Sequence, residues 1–508
     1  MGYQYDTTIA AISTAVSSAG IGIVRMSGPE AFLIADRIYK GKNEKRLSVQ
    51  KSHTIHYGFI VDGEETIDEV LVMLMRGPRS FTGEDTVEIN CHGGVYVVKR
   101  ILETLIDYGA RPAEPGEFTK RAFLNGRLDL SQAEAVGDLI EAQNKYALQS
   151  SVNQLKGCVR QEINRIRKNI IYHTAFIETA LDDPEHISVD GYGVELKGNV
   201  EEWLGDIQRL LDTCDDGRII KEGIRTVILG KPNAGKSSLL NVLLGEERAI
   251  VTDVEGTTRD VLEEHINLKG ISLNIMDTAG IRDTEDIVEK IGVDRAKDYA
   301  DQADLILYVI DSSRPLDEND CEIMRLIEGK TSVILLNKSD LEALVTVQDV
   351  EDMYFTCNPG GCGDKVERSV LDYQNDDNES YLAKNKGILM VDDDRKTEIK
   401  EFKIPVIDIS AKDMKGIDHL EEILKKLFFE GNLAFSNEFY ITNIRHKTAL
   451  SDAYGALERV RDSIDAGMPE DFYSIDLMDA YEALGNITGE TIGEDLVNEI
   501  FSKFCMGK

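Results

Sequence analysis

The chain has 508 residues, more than one hydrophobic core usually organises, so two to four domains are expected. Hydrophobic residues make up 42% and charged residues 29%, and no run approaches the roughly 20 apolar residues that a membrane span requires. With 57 basic against 92 acidic residues the net charge is −35, which argues against general affinity for a nucleic-acid backbone; an RNA partner would require a confined basic surface or a second protein. The first twelve residues are polar, with no basic region ahead of an apolar core, and do not read as a secretory signal. Seven scattered cysteines therefore read as reduced thiols of a cytosolic protein, not as a disulfide framework.

Up to about residue 125 the pattern is mixed α/β, with short apolar runs at 21–24, 69–74 and 87–89 separated by Gly, Pro and Asp turn residues. From 126 to 218 apolar positions recur at three- and four-residue spacing, which predicts long helices, for example over 131–149 and 151–170. From 219 to 430 predicted strands at 225–229, 271–276, 305–310, 332–336 and 405–409 alternate with helices, the signature of a doubly wound, mainly parallel sheet. Residues 431–508 are helical again, and the simplest topology packs them on the earlier helices, making the α/β unit an insertion in a discontinuous helical domain. An acidic insertion at about 343–401 carries Asn375-Asp376-Asp377-Asn378-Glu379 and Asp392-Asp393-Asp394 and reads as a solvated surface feature. Its Cys357 and Cys362 have no second pair and no nearby His to complete a tetrahedral zinc site.

The strand at 225–229 leads into Gly230-Lys231-Pro232-Asn233-Ala234-Gly235-Lys236-Ser237, a phosphate-binding P-loop in its expected strand–loop–helix context. Glycines let backbone N–H groups turn toward phosphates, Lys236 reaches the β- and γ-phosphates, and the Ser237 hydroxyl ligates magnesium. Asp277-Thr278-Ala279-Gly280 ends the strand at 271–276, where the Asp can hold magnesium through water and the Gly N–H can sense a γ-phosphate. Asn337-Lys338-Ser339-Asp340 ends the next such strand, and its Asp can accept from the guanine ring N–H and exocyclic amine. Ser410-Ala411-Lys412 completes the base pocket. Between P-loop and Asp277 lies a switch loop, Thr252-Asp253-Val254-Glu255-Gly256-Thr257-Thr258, with Thr258 as the second magnesium ligand. The GTP-binding set also takes in Ser238. Ile281 stands where Ras-like enzymes have the Gln that orients water, so activation must come from an acid in the following switch, Asp283, Glu285, Asp286 or Glu289, among which spacing does not choose.

These motifs resemble the translation-factor-related GTPases, and the flanks narrow the resemblance. Asp6-Thr7-Thr8-Ile9-Ala10-Ala11-Ile12-Ser13-Thr14, Gly22-Ile23-Val24-Arg25-Met26-Ser27-Gly28, Ser80-Phe81-Thr82-Gly83-Glu84-Asp85, Cys91-His92-Gly93-Gly94, Ala113-Glu114-Pro115-Gly116-Glu117-Phe118-Thr119 and terminal Phe504-Cys505-Met506-Gly507-Lys508 are similar to those of the MnmE, or TrmE, family over almost the whole chain. The resemblance implies an N-terminal α+β folate-binding-like and dimerising domain, a helical domain made from two segments and an inserted P-loop G domain. It implies a cytoplasmic, homodimeric, potassium-stimulated GTP hydrolase. Together with the flavoprotein MnmG, as a heterotetramer, such a protein adds aminomethyl or carboxymethylaminomethyl groups to C5 of the wobble uridine of certain tRNAs. A tetrahydrofolate derivative (5-formyl or methylene) would supply the one-carbon unit, FAD would sit on MnmG, and tRNA would bind mainly through that partner.

By the same resemblance Arg25, Glu88, Arg127 and Lys508 form the folate site, a cation meeting the folate carboxylates and a carboxylate the pterin. Arg127 stands where relatives often have Lys, and Met506 where Ile is common. Cys505 is a candidate functional thiol. Asn233, Thr252, Val254 and Thr257 would ligate potassium, and Glu289 would activate water. A regulatory or ribosome-assembly GTPase would need no folate site; a folate-dependent transferase acting on a small molecule would form its product without RNA.

Overall fold

The computed structural model describes residues 6–42, 45–183, 185–187, 191–246, 264–276, 291–358, 402–428, 440–490, 493–502, 504 and 507. Two compact units emerge: Met1–Lys221 together with Asn437–Lys508, and the intervening Glu222–Ser436.

The first unit begins with β1 (Ile9–Ile12), β2 (Gly22–Ser27), α1 (Ala31–Ile38), β3 (Tyr39–Gly41), β4 (Thr54–Asp62), β5 (Glu65–Met75), β6 (Thr86–Cys91), α2 (Val95–Asp107), β7 (Arg111–Pro112) and α3 (Glu117–Leu124). The strands form one sheet in the order β3-β4-β5-β6-β2-β1-β7. Neighbours are antiparallel except β1 and β7. Side chains along β4 alternate between core and solvent, the period-two signature of a sheet with one covered face. The covering helix α1 buries Ala31, Phe32, Ile34, Ala35 and Ile38, a helical stripe that packs with Val24, Val72, Leu74 and Ile89. On the hairpin β4–β5, Ile55, Tyr57 and Leu71 are exposed.

Helices α4 (Leu130–Glu141), α5 (Lys145–Leu155), α6 (Cys158–Asp182) and α7 (Tyr192–Glu222) follow. The two long helices predicted over 131–149 and 151–170 are corrected to three. Asn144 ends one run and caps the next, its side chain accepting from the Ala147 N–H. Gly157, at φ 87, then takes a left-handed turn that only glycine adopts readily, separating α5 from α6.

The second unit contains β8 (Ile224–Leu229), α8 (Lys236–Glu246), β9 (Glu264–Leu268), β10 (Ile271–Ile275), α9 (Ile291–Gln302), β11 (Leu305–Asp311), α10 (Glu318–Leu326), β12 (Ser332–Asn337), α11 (Val347–Cys357), β13 (Val406–Asp408) and α12 (Ile417–Phe428). Its sheet runs β13-β12-β11-β8-β10-β9. All pairs are parallel except β10–β9, and β9 is a strand the sequence reading did not anticipate. Every residue of β11 and β12 is buried, as expected for central parallel strands covered on both faces.

The reading of all cysteines as reduced is corrected here. Cys321 of α10 and Cys357 at the end of α11 are joined by a disulfide, with Cα atoms 5.5 Å apart. The packing of α10 against α11 brings together residues 36 apart in sequence, a proximity that spacing does not reveal. Cys357 is thereby removed from any pairing with Cys362, which lies outside the described residues. Among the described residues Cys91, Cys158 and Cys214 form no disulfide, and burial pushes the Cys91 thiol up to about 11.

In the first unit, α13 (Ile444–Asp465), α14 (Glu470–Thr488) and α15 (Glu494–Ser502) are the last of the described helices. Leu450, Leu457, Leu477 and Leu484 from α13 and α14 share a core with Ile163 and Ile170 of α6 and with Trp203 of α7. Beyond α15, Ser13, which follows β1, donates through its hydroxyl to the Gly507 carbonyl at 3.1 Å, which fixes Gly507 beside the N-terminal sheet. Among the described residues, no helix is long and apolar enough to cross a membrane.

Candidate nucleotide-binding site

The chain reverses direction across the second sheet at β8: β10 flanks it on one side and β11 on the other. In open α/β sheets, ligands bind at the carboxyl ends of strands beside such a switch point. The P-loop follows β8 there, Asn337 closes β12, and Ser410 follows β13.

Two described loops converge on the buried Asn337 side chain. Its Nδ2 donates to the Ala234 carbonyl of the P-loop at 2.8 Å, and its Oδ1 accepts from the Ala411 N–H at 3.1 Å. The amide therefore locks the phosphate loop to the last base-pocket loop. The approach is close enough to dictate Gly235, which sits at φ +102 and whose absent Cβ would lie 2.0 Å from Asn337 Nδ2. Asp340 accepts from the Ser410 hydroxyl at 3.0 Å, while Lys412 Nζ stands 3.8 Å from its other oxygen. Ser410 Oγ also accepts from the Asp413 N–H at 3.2 Å. The carboxylate that would read guanine is thus held by the loop completing the pocket.

Lys236 is curled into the P-loop, donating to the carbonyls of Gly230 at 2.7 Å and Lys231 at 2.9 Å. Burial holds its ammonium below the ordinary lysine range, and among the described residues no carboxylate pairs with it. A buried cation resting on carbonyl oxygens at a helix N-terminus is suited to an incoming phosphate. Asn233 takes a left-handed φ of 61, and Ser237 and Ser238 lie in the first turn of α8. This set suits a nucleoside triphosphate and its magnesium.

Several contacts in this unit escaped the sequence reading. Lys231 anchors the P-loop from outside, its Nζ 2.6 Å from the buried Asp320 and 3.0 Å from Asp317, both at the start of α10. Asp320 also accepts from Tyr308 at 2.7 Å, and burial followed by this carboxylate pushes the phenol strongly upward. Lys338, at φ 66, pairs with Asp311 at 2.6 Å. Burial alone would raise the Asp311 carboxyl, but Lys338 and Ser313 hold it below the ordinary range. The second residue of a P-loop and an isolated Tyr carried no spacing signal for these contacts.

The expected switch and magnesium residues Thr252, Asp253, Val254, Glu255, Gly256, Thr257, Thr258, Asp277, Thr278, Ala279 and Gly280 lie outside the described residues, as does Glu289.

In the first unit, Arg25 and Glu88 are directly opposed on β2 and β6 and pair at 2.8 Å, both side chains nearly buried. The Arg25 guanidinium lies 5.8 Å from the Phe81 ring centre and 5.7 Å from that of Phe118, and Arg127 lies 5.2 Å from the Phe81 ring. Arg25, with its partner Glu88, and Arg127 therefore both lie near Phe81, an aromatic that the sequence analysis places in a motif without a role. Behind them the fully buried Arg121 pairs with Glu84 at 3.1 Å and Glu117 at 3.0 Å. Lys508 and Cys505 lie outside the described residues.

Comparison with known proteins agrees with this architecture. Residues 8–127 match the family described as the GTP-binding protein TrmE N-terminus, and residues 130–505 match the MnmE helical domain family. The tRNA modification GTPase MnmE of Lachnoclostridium phytofermentans is 52% identical over 502 residues, covering 99% of each chain. Those of Acetivibrio thermocellus and Clostridioides difficile are 45% and 44% identical, over 100% and 99% of this chain. A nucleotide crevice assembled by Asn337, carried in a chain that aligns end to end with these enzymes, makes this chain a member of the MnmE family of tRNA modification GTPases, which hydrolyse GTP.

Proposed function

We propose that this chain is the GTP-hydrolysing subunit of a two-protein enzyme that adds aminomethyl or carboxymethylaminomethyl groups to C5 of the wobble uridine of certain tRNAs. The observation that carries the nucleotide half of this reading is the Asn337 bridge between the P-loop and the Ala411 loop, which sets phosphate and base subsites in one crevice. Asp340 selects guanine, Lys236 meets the phosphates, and Ser237 with Thr258 holds magnesium. Asn233, with Thr252, Val254 and Thr257, holds potassium, which supplies positive charge near the β- and γ-phosphates in place of an arginine finger. Glu289 orients the attacking water, because Ile281 cannot.

For the second half, Arg25 and Arg127 near Phe81, with Glu88 paired to Arg25, support a folate site in which Lys508 also takes part. The ring offers a stacking face for a pterin and the guanidinium groups offer charge for the glutamate tail. A net charge of −35 supports tRNA binding mainly through a flavoprotein partner, MnmG, that also carries FAD. The exposed apolar side chains Ile55, Tyr57 and Leu71 on the β4–β5 hairpin support a homodimer through the N-terminal domain. The protein acts in the cytoplasm.

Two experiments test the reading. Mass-spectrometric nucleoside analysis of bulk tRNA from cells lacking the protein should show loss of C5-aminomethyl-type uridines, restored by the wild-type chain. An unchanged profile, where no second pathway makes these bases, would move the weight to a regulatory GTPase. The purified chain should sediment as a dimer and turn over GTP about tenfold faster in potassium than in sodium at equal ionic strength, since the added cation stabilises transition-state charge. Equal rates in the two salts would remove the potassium site, and a monomer the dimer.

A further inference from the structure

The disulfide between Cys321 and Cys357 closes a loop around the base-reading strand: β12, Asn337 and Asp340 all lie between the two cysteines. Cys321 directly follows Asp320, the buried carboxylate that grips P-loop residue Lys231 at 2.6 Å. At the other end of α10, Arg325 Nε donates to the Cys357 carbonyl at 3.2 Å, and Asn358 donates to the Met324 carbonyl at 3.3 Å. Helix α10 is thus tied at its start to the phosphate loop and at its end to the close of α11, and the disulfide fastens the same two helices covalently. The two residues differ in burial: Cys357 is 4% exposed, whereas Cys321 is only partly covered. Disulfides of intracellular chains are usually transient and redox-sensing.

We propose that Cys321 and Cys357 form a reversible thiol–disulfide site, oxidised by low-molecular-weight disulfides, whose closure slows release of guanine nucleotide. In the forward direction one cysteine thiolate attacks a disulfide RSSR, expels RS⁻ and forms a mixed disulfide. The second cysteine thiolate attacks the protein sulfur of that mixed disulfide and expels the other RS⁻. Two protein thiols thereby lose two electrons and two protons, and RSSR leaves as two RSH. Reduction by excess RSH runs the same steps backwards, beginning at the more accessible Cys321. Closure restrains α10 and α11 from separating, so the Lys231 anchor and the Asn337–Asp340 loop lose the freedom through which the crevice opens.

The test uses the full chain poised in oxidised glutathione or in dithiothreitol. Peptide mapping without reduction locates the linkage, and stopped-flow displacement of a fluorescent GDP reads release. The expected result is a Cys321–Cys357 peptide in oxidised glutathione, release about fivefold slower than in dithiothreitol, and full reversal on reduction. Cys321→Ser, whose site is partly solvent-facing, should release GDP at the reduced wild-type rate under both conditions while keeping the reduced chain's affinity. Cys321→Ala provides a second thiol-free variant should the serine disturb packing. The proposal is overturned if both cysteines stay alkylatable in oxidised glutathione, if Cys357 pairs instead with Cys362, or if the disulfide forms and release is unchanged.

Discussion

Replacing Asn337 by Ala should weaken GDP and GTP binding about 100-fold while leaving the second unit folded. The Asn337 amide is 2% exposed and serves two loops at once, donating to Ala234 in the P-loop and accepting from the Ala411 N–H. Removing it leaves a buried carbonyl and a buried N–H without these bonds, at about 1–3 kcal/mol for each group. Most of that loss falls on the ligand-bound form, because the two loops must be held at fixed separation only when phosphate and base are gripped together. A net loss of about 3 kcal/mol corresponds to roughly two decades in affinity. Asn337→Asp should be no better: it keeps an acceptor for Ala411 but sets a carboxylate oxygen against the Ala234 carbonyl. Isothermal titration calorimetry with GDP checks both variants, and binding within threefold of wild type would remove Asn337 from the architecture of the site. Circular dichroism separates this from simple unfolding.

How much of this was legible beforehand depended on how far apart the cooperating residues lie in sequence. The P-loop could be read because phosphate binding imposes glycine and lysine at fixed spacing between a strand and a helix, and the structure places Gly230, Gly235 and Lys236 in such a loop. Asn337 and Asp340 could be read as base-recognising groups, but the mechanical part of Asn337 could not, since its partner Ala234 is 103 residues away and offers only a backbone oxygen. The break at Gly157 was present in the sequence as a glycine, yet apolar periodicity continued through it, and periodicity is blind to a left-handed residue. The disulfide was missed for a different reason: an argument from compartment was applied to all seven cysteines, whereas the packing of α10 on α11 is a tertiary fact. Ion pairs can reach as far. Arg445 and Glu134 are separated by 311 residues, and no local pattern marks either.

That last pair carries the second large effect: Glu134→Ala should destabilise the first unit by about 3–5 kcal/mol, lowering its melting temperature by roughly 10 °C. Glu134 on α4 is buried and accepts from Arg445 Nε at 3.0 Å and Arg445 Nη2 at 2.8 Å, and its Oε2 also stands 2.9 Å from His446 Nε2. Arg445 and His446 open α13, the first described helix of the C-terminal segment, so this carboxylate joins the two parts of the chain that build the unit. Truncating it strands a guanidinium beside the fully buried His446 without its counter-charge, which is why deleting one partner costs more than the pair contributes. Burial alone would raise the Glu134 carboxyl, but His446 and Arg445 outweigh it and hold the group at about 2 instead of 4.5. Because the folded value lies below the unfolded one, the stabilisation is fully present above about pH 5 and drains away as pH falls from 4.5 toward 2. Glu134→Gln keeps the shape and one acceptor but not the charge, so it should fall between wild type and Ala. Its deficit should be present at pH 5 and shrink as pH falls from 4.5 toward 2. Thermal melts of the three proteins from pH 7 down to pH 3 decide the matter: a Gln deficit that persists undiminished at pH 3 would mean that packing, not the carboxylate charge, holds α13 to α4.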